Sequence, residues 1–253
     1  MSAWILLRGL TREGRHWGTF LEHLRLEAAM SGDQVTLLDL PGNGRENALT
    51  APLNVAAMTT FVRSRAAAAG LKPPYRLLAM SLGGMVATDW AQKYPQDIER
   101  LVLVNTSIRP FAAVHERLQF AAWPQLLRAA ALWNDSLRCE SIIHGVTCNR
   151  TDTFDDDLAV WTTIRRVAPV SAKNALRQLW AAARFHAGEH APACPVLMLS
   201  SKMDHLVKAV CSERIAEKWQ AEHKQHPWAG HDLPHDDPAW TVNAVAGWLQ
   251  TQR

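Results

Sequence analysis

Short apolar runs alternate with longer amphipathic stretches through the first hundred residues. Trp4 to Arg8 reads as a buried strand ending at Gly9. Leu10 to Arg15 is a polar loop, after which Trp17, Phe20, Leu21 and Leu24 recur at helical spacing. Gln34 to Leu40 predicts a second strand, which runs into the turn signal Pro41-Gly42-Asn43-Gly44. Val55, Met58, Phe61, Val62 and Ala66 predict a helix that stops near Gly70 and Pro73-Pro74. Tyr75 to Met80 is the third strand, Leu82 to Lys93 the next helix, and Arg100 to Asn105 the fourth strand. These strands are continuous apolar runs, as expected when both faces of a sheet are covered. The alternation predicts an α/β fold: a doubly wound, mainly parallel sheet with helices on both sides.

From Ile108 to about His190 the pattern changes. No strand is predicted, and the segment is rich in Ala, Leu and Trp at helical spacing, as in Leu118, Ala122, Leu126 and Ala130. A further helical run follows the acidic cluster Asp152 to Asp157, whose charges suit a helix N-terminus. That cluster lacks the glycine and terminal glutamate of a calcium-binding loop, so it reads as a solvated cap. Alternation resumes with a strand over Cys194 to Ser200, a loop holding Asp204, a helix from about Lys208 to Gln220 and a short strand near His223 to His226. A closing helix carries Trp240, Ala244, Val245, Trp248 and Leu249. The expected organisation is one core built from residues 1–107 and 191–253, with about six strands, interrupted by a helical insertion at 108–190.

Bulk properties narrow the function classes. A chain of 253 residues is near the upper limit for one compact core, which favours one domain with an insertion. A net charge of +3, with scattered basic residues, gives no basis for nucleic acid or an anionic membrane as partner. No apolar stretch approaches the ~20 residues that span a bilayer, and the run Trp4 to Leu7 is too brief for a signal-peptide core. Cys139, Cys148, Cys194 and Cys211 form no paired motif, and a reduced, cytoplasmic chain is expected. Of the eleven tryptophans, Trp123, Trp133, Trp161 and Trp180 fall in the insertion. Packing between helices accounts for most of them, with one or two left to line a pocket. Oligomeric state has no signal in the sequence.

The chemistry gathers around Ala79-Met80-Ser81-Leu82-Gly83-Gly84. A serine at a sharp strand-to-helix turn has its hydroxyl lifted clear of the backbone, beside the free N–H groups of a new helix. Serine is also favoured as a plain helix cap, so Ser81 alone is ambiguous. It needs a base, and the base needs an orienting acid. In an open parallel sheet such groups collect at the carboxyl ends of strands. Asp204 follows the fifth strand, and His231, in Ala229-Gly230-His231-Asp232, follows the last. Asp232 is a rival acid, but a sequence neighbour rarely reaches the far ring nitrogen, so Asp204 is preferred. His205 reads as a loop or pocket residue. The histidines His223, His226, His231 and His235 invite a zinc reading, but Pro227 and Pro234 break the helix that would align them, and no metal is expected. Gly42-Asn43-Gly44 and Gly83-Gly84 lack the rest of a phosphate loop, so no cofactor is expected.

Taken together the motifs resemble the α/β-hydrolase fold superfamily, in its subset with a helical cap. Ala79-Met80-Ser81-Leu82-Gly83 resembles the G-x-S-x-G nucleophile elbow. Asp39-Leu40-Pro41-Gly42-Asn43-Gly44 resembles the family's D-x-P-G-x-G turn, and Gly230-His231 its C-terminal G-H. The resemblance implies Ser81 as nucleophile, His231 as general base and acid, Asp204 as its orienting group, and an oxyanion hole from the N–H groups of Leu10 and Leu82. Two positions depart from the pattern. Ala79 replaces the elbow's first glycine, and Arg8-Gly9 stands where His-Gly is common. Arg8 has two readings: it holds the oxyanion loop with its fork of donors, or it offers a substrate-binding cation to an acidic substrate. The expected activity is hydrolysis of a small carboxylic ester or thioester through an acyl-enzyme. The alternatives are a lyase or C–C bond hydrolase acting on an acidic metabolite with the same triad, and a non-enzymatic binding module on the same fold.

Overall fold

The computed structural model describes residues 2–251. Its centre is a six-stranded sheet in the order β2-β1-β3-β4-β5-β6. The strands are β1 (Ala3–Leu7), β2 (Gln34–Leu38), β3 (Tyr75–Met80), β4 (Ile98–Val104), β5 (Val196–Ser201) and β6 (Glu222–His226). Every pairing between them is parallel. Ala79 stands opposite both Leu7 and Leu103, and Leu199 opposite Val104, so the carboxyl ends of β1, β3, β4 and β5 finish along one edge. The strand order reverses between β1 and β3, the place where open sheets form a crevice beyond their carboxyl ends.

Each strand buries both faces because its side chains alternate between two apolar layers. Ile5, Leu7, Leu77, Ala79, Leu101 and Leu103 pack against α2 (Val55–Ala68), α3 (Leu82–Lys93) and α9 (Val210–Trp219). Trp4, Leu6, Leu78, Met80, Val102 and Val104 pack against α1 (Gly18–Met30) and α11 (Pro238–Thr251). Trp4, Trp17, Trp90 and Trp248 are among the largest fully buried side chains.

The chain between β4 and β5 forms helices. It contains α4 (Val114–Arg117), α5 (Trp123–Ala131), α6 (Ser136–Thr147), α7 (Phe154–Val167) and α8 (Ala172–Arg184). A backbone bridge between Arg109 and His186 brings the two ends of this insertion together. The helical spacing from Leu118 to Ala130 does not form one helix. It crosses the end of α4 and a tight turn at Phe120–Ala122 before α5 begins. Packing between helices is expected for most of the insertion's tryptophans; Trp123 and Trp180 are 44% and 52% exposed, whereas Trp161 is buried. A short helix, α10 (Leu233–Asp236), follows the last strand and its loop. The four cysteines are unpaired. No helix of the described residues is long and apolar enough to cross a membrane.

Candidate active site

Ser81 stands between β3 and α3 with φ 53° and ψ −118°, in the left-handed half of backbone space where non-glycine residues are strained. A capping serine would be extended and would accept a hydrogen bond from the first turn. Ser81 does neither, for its side chain makes no cap contact with α3. The turn is held from the sheet side by the Ser81 N–H, which donates to Val104 O at 3.1 Å. Small neighbours make it possible. A methyl group added to Gly83 would come within 2.6 Å of the carbonyl oxygens of Leu7 and Arg8. One added to Gly9 would lie 3.2 Å from Ser81 Cβ. The Ala79 methyl that replaces the usual glycine is accommodated, fully buried in the layer beneath α3.

Asp204 and His231 meet across the loops after β5 and β6. The His231 Nδ1–H donates to Asp204 Oδ2 at 2.7 Å, and both side chains are buried. The other carboxylate oxygen accepts from the N–H groups of Leu206 and Val207, at 2.7 and 2.9 Å. A carboxylate held by three hydrogen bonds in this way orients the imidazole, and in the neutral ring it favours the tautomer with the proton on Nδ1.

The rival acid is engaged elsewhere. Both terminal nitrogens of Arg8 donate to the two carboxylate oxygens of Asp232, a buried, two-pronged pair. The Arg8 guanidinium also stacks 4.7 Å over Trp17. Arg8, expected as a substrate-binding cation, therefore has its fork committed to the residue after His231. The fork ties the end of β1 to the loop that carries His231. Burial alone would raise the Asp232 pKa, but the charge and hydrogen bonds of Arg8 overcome it and hold the carboxyl below its ordinary value.

The loop after β1 is pinned with the help of Gln178, which carried no sequence motif. Thr11 N–H donates to Gln178 Oε1 at 2.9 Å, and Arg12 N–H to Gly9 O at 3.3 Å. Leu10, half-buried, lies in the same loop. Leu82 is the first residue of α3, so its N–H has no acceptor within the helix. Gln178, fully buried on α8, also donates to Asn43 Oδ1 at 2.7 Å, and Asn43 donates to Arg12 O at 2.8 Å. The insertion thus holds the loop after β1 and the Pro41-Gly44 turn together. Asp39 completes that turn by accepting from the N–H groups of Gly14 and Arg45.

Asn105 is the second residue that sequence reasoning missed. It follows β4 with a positive φ of 44°. Its Nδ2 donates to His231 O at 2.7 Å and Gly230 O at 3.3 Å, while its Oδ1 accepts from Ser201 N–H at 2.9 Å. One buried amide therefore ties the ends of β4 and β5 to the His231 loop. Asn105→Asp removes that donor and points an acceptor at two carbonyls. We expect a loss of about 1–3 kcal/mol in stability. We also expect kcat to fall more than KM, because the ring is displaced without contact to substrate. Chemical denaturation and steady-state kinetics on one preparation check both.

The insertion is also fastened to the His231 loop itself. Asp232 N–H donates to Thr147 O at 2.7 Å, and Asn149 Nδ2 donates to the carbonyls of Met203 and Trp228. Of the histidines considered for zinc, His223 bonds Ser200, His226 bonds Asp237 and His235 bonds Asp157, so the four do not converge. His205 is exposed. A groove of about 280 Å³, lined in part by Cys194, Val196, Trp219 and Trp248, opens at the amino ends of β5 and β6. That is the edge of the sheet opposite Ser81, away from any of these groups.

The parallel sheet and its strand order are those of a known family. The family model of the alpha/beta hydrolase fold matches residues 5–238. This chain belongs to the alpha/beta hydrolase fold family. Among curated relatives it is similar to "Putative carbamate hydrolase RutD" of Caulobacter sp. (strain K31), 27% identical over 97% of this chain and 89% of the relative. The protein of that name from Shigella flexneri is also 27% identical, over 95% of this chain and 88% of the relative. Two solved members of the alpha/beta hydrolase fold have the same architecture. A thermophilic esterase from Thermogutta terrifontis is 22% identical with a TM-score of 0.73, covering 99% of this chain and 90% of that one. An enol-lactonase from Burkholderia xenovorans is 18% identical with a TM-score of 0.76, covering 99% and 92%.

Proposed function

We propose that this alpha/beta hydrolase is a serine hydrolase that cleaves a small carboxylic ester or thioester through an acyl-enzyme. The observation that carries the reading is the buried 2.7 Å bond from His231 Nδ1 to Asp204 Oδ2, on the same edge of the sheet as the strained Ser81 turn. In this reading His231 Nε2 takes the Ser81 proton as Oγ attacks the carbonyl carbon. The N–H groups of Leu82 and Leu10 receive the negative charge that develops on the carbonyl oxygen, each worth about 10²–10³ in rate. His231 then returns the proton to the leaving alcohol or thiol. A water deprotonated by His231 attacks the acyl-serine ester, releases the acid and restores Ser81. Residues 108–190 act as a cap over this crevice, and their side chains set which acyl groups enter.

The RutD relatives carry a carbamate name, and a carbamate presents the same kind of carbonyl to a serine. Aryl carbamates therefore belong beside esters of rising acyl length in the substrate panel. The test is labelling with a fluorophosphonate probe followed by peptide mapping. One probe per chain is expected, on the peptide containing Ser81, together with turnover of at least one acyl substrate. A folded protein that takes no label would favour the binding-module reading. Labelling without acyl turnover, together with activity on an acidic substrate cleaved at a C–C bond, would favour the lyase or C–C hydrolase.

A further inference from the structure

The geometry points to a transition-metal site of the zinc class, formed by His144, Cys148 and His235, at the seam between the helical insertion and the loop that carries His231. One ligand atom from each of these residues lies within 4.8 Å of the other two. In a tetrahedral zinc site, bonds of 2.0–2.3 Å place ligand atoms roughly 3.3–3.8 Å apart, so a contraction of about 1 Å closes the set.

Local structure explains why the three meet. His144 is in the last turn of α6 and Cys148 is its C-cap, with Cys148 N–H donating to His144 O at 2.8 Å. That i,i+4 spacing stacks both side chains on one helix face. His235 belongs to α10, four positions beyond His231 in sequence. Its imidazole stands edge-on to that of His144, with ring centres 5.7 Å apart. Trp161 packs against both rings and Phe154 against His144, so the cluster has apolar walls. His144 and Cys148 are buried and His235 nearly so.

Asp157 supplies the support that metal-binding imidazoles commonly have. Its Oδ2 lies 3.4 Å from His144 Nε2 and 3.0 Å from His235 Nε2, and accepts from Thr153 Oγ1 at 2.7 Å. A carboxylate placed there orients both rings and sets a negative charge beside the cation. Cys148 stands apart from this hydrogen-bond network, with Sγ 3.6 Å from Thr147 Oγ1. Cys148 also packs in an apolar group with Trp161 and Ile164, and nitrogen and sulfur donors together suit zinc and its neighbours in the first transition row. Three protein ligands leave a fourth position for water. On binding, Cys148 coordinates as the thiolate and its proton passes to solvent.

The experiment titrates cobalt(II), then zinc(II), into chelator-treated full-length protein. The expected result is one cobalt per chain, with thiolate-to-metal charge-transfer absorption and the visible bands of a tetrahedral site, displaced by one zinc. Cys148→Ser abolishes the charge-transfer band, and Asp157→Asn weakens zinc binding about 10–100-fold while the ligands remain. Should Cys148→Ser fail to fold, His235→Gln replaces it, and this folded variant loses tight binding. Absence of a cobalt spectrum in the wild type overturns the site. So does a charge-transfer band that survives Cys148→Ser, or tight binding that survives His235→Gln.

Discussion

Replacing Asp204 with Asn should lower kcat about 10⁴-fold while the protein stays folded. The reason lies in which atoms surround the carboxylate. An Asn in the same rotamer keeps one oxygen for the N–H groups of Leu206 and Val207, which donate to Asp204 Oδ1 in the wild type. Its amide nitrogen then replaces Oδ2, the atom that accepts from His231 Nδ1–H at 2.7 Å. Two donors would face each other, so the ring shifts its proton to Nε2. Nε2 can then no longer accept the Ser81 proton. The stability cost is that of one buried hydrogen bond, about 1–3 kcal/mol. Steady-state kinetics paired with circular dichroism check the expectation. A loss below tenfold in a folded variant would remove Asp204 from the proposed triad. Asp232 could not then take its place, because its carboxylate is already paired with Arg8.

The second large effect concerns that pair. Arg8→Met leaves the Asp232 carboxylate buried without its partner, which typically costs about 3–5 kcal/mol. The double variant Arg8→Met with Asp232→Leu should recover most of the loss, because the attraction of a buried pair roughly offsets the cost of taking both charges out of water. Arg8→Lys should recover little, since one ammonium does not reproduce a two-pronged contact. Urea unfolding of the four proteins measures these differences. The pair also predicts a pH dependence. Asp232 has a folded pKa below its unfolded value of about 3.9, so its contribution is fully present above that pH and is lost as pH falls through the lowered folded value. The acid limb of the stability profile should therefore flatten in the double variant. The ratio of activity on anionic and neutral esters is expected to stay unchanged in any Arg8 variant that folds. A shift toward neutral esters would restore Arg8 as a substrate-binding cation.

Local chemistry decided how much could be read from the chain alone. The boundaries of β3 and α3 follow from sequence because punctuation marks both ends, Pro73-Pro74 before the strand and Tyr94-Pro95 after the helix. The alternation of apolar runs was enough for a parallel sheet, and the turn after β2 declared itself through its glycines. A methyl group on Gly44 would come within 2.1 Å of Asp39 Oδ2, so no other residue fits that motif position unchanged. Asn105 and Gln178 were illegible for the opposite reason. Each is a single polar residue in an otherwise ordinary segment, and its partners are distant in sequence. The partner of Arg8 was illegible too, because Asp232 is far from it in sequence. Asp157 looked like one of several charges at a helix start, and only the fold brings His144 and His235 to it.

The bond from Asp232 N–H to Thr147 O constrains how the crevice is reached. The insertion is fastened to the chain immediately beside His231, and Gly230 is packed so closely there that an added methyl would come within 2.7 Å of the same carbonyl. A swing of the helices that kept this bond would pull the His231 loop against the hold of Asn105. The turn between α4 and α5 is fastened to the loop of the acid in the same way, with Gln119 donating from its backbone N–H to Leu206 O at 2.9 Å and from Nε2 to Asp204 O at 2.7 Å. The same helical segment thus braces both members of the pair, His231 through Thr147 and Asp204 through Gln119, and loosening it would disturb the two together.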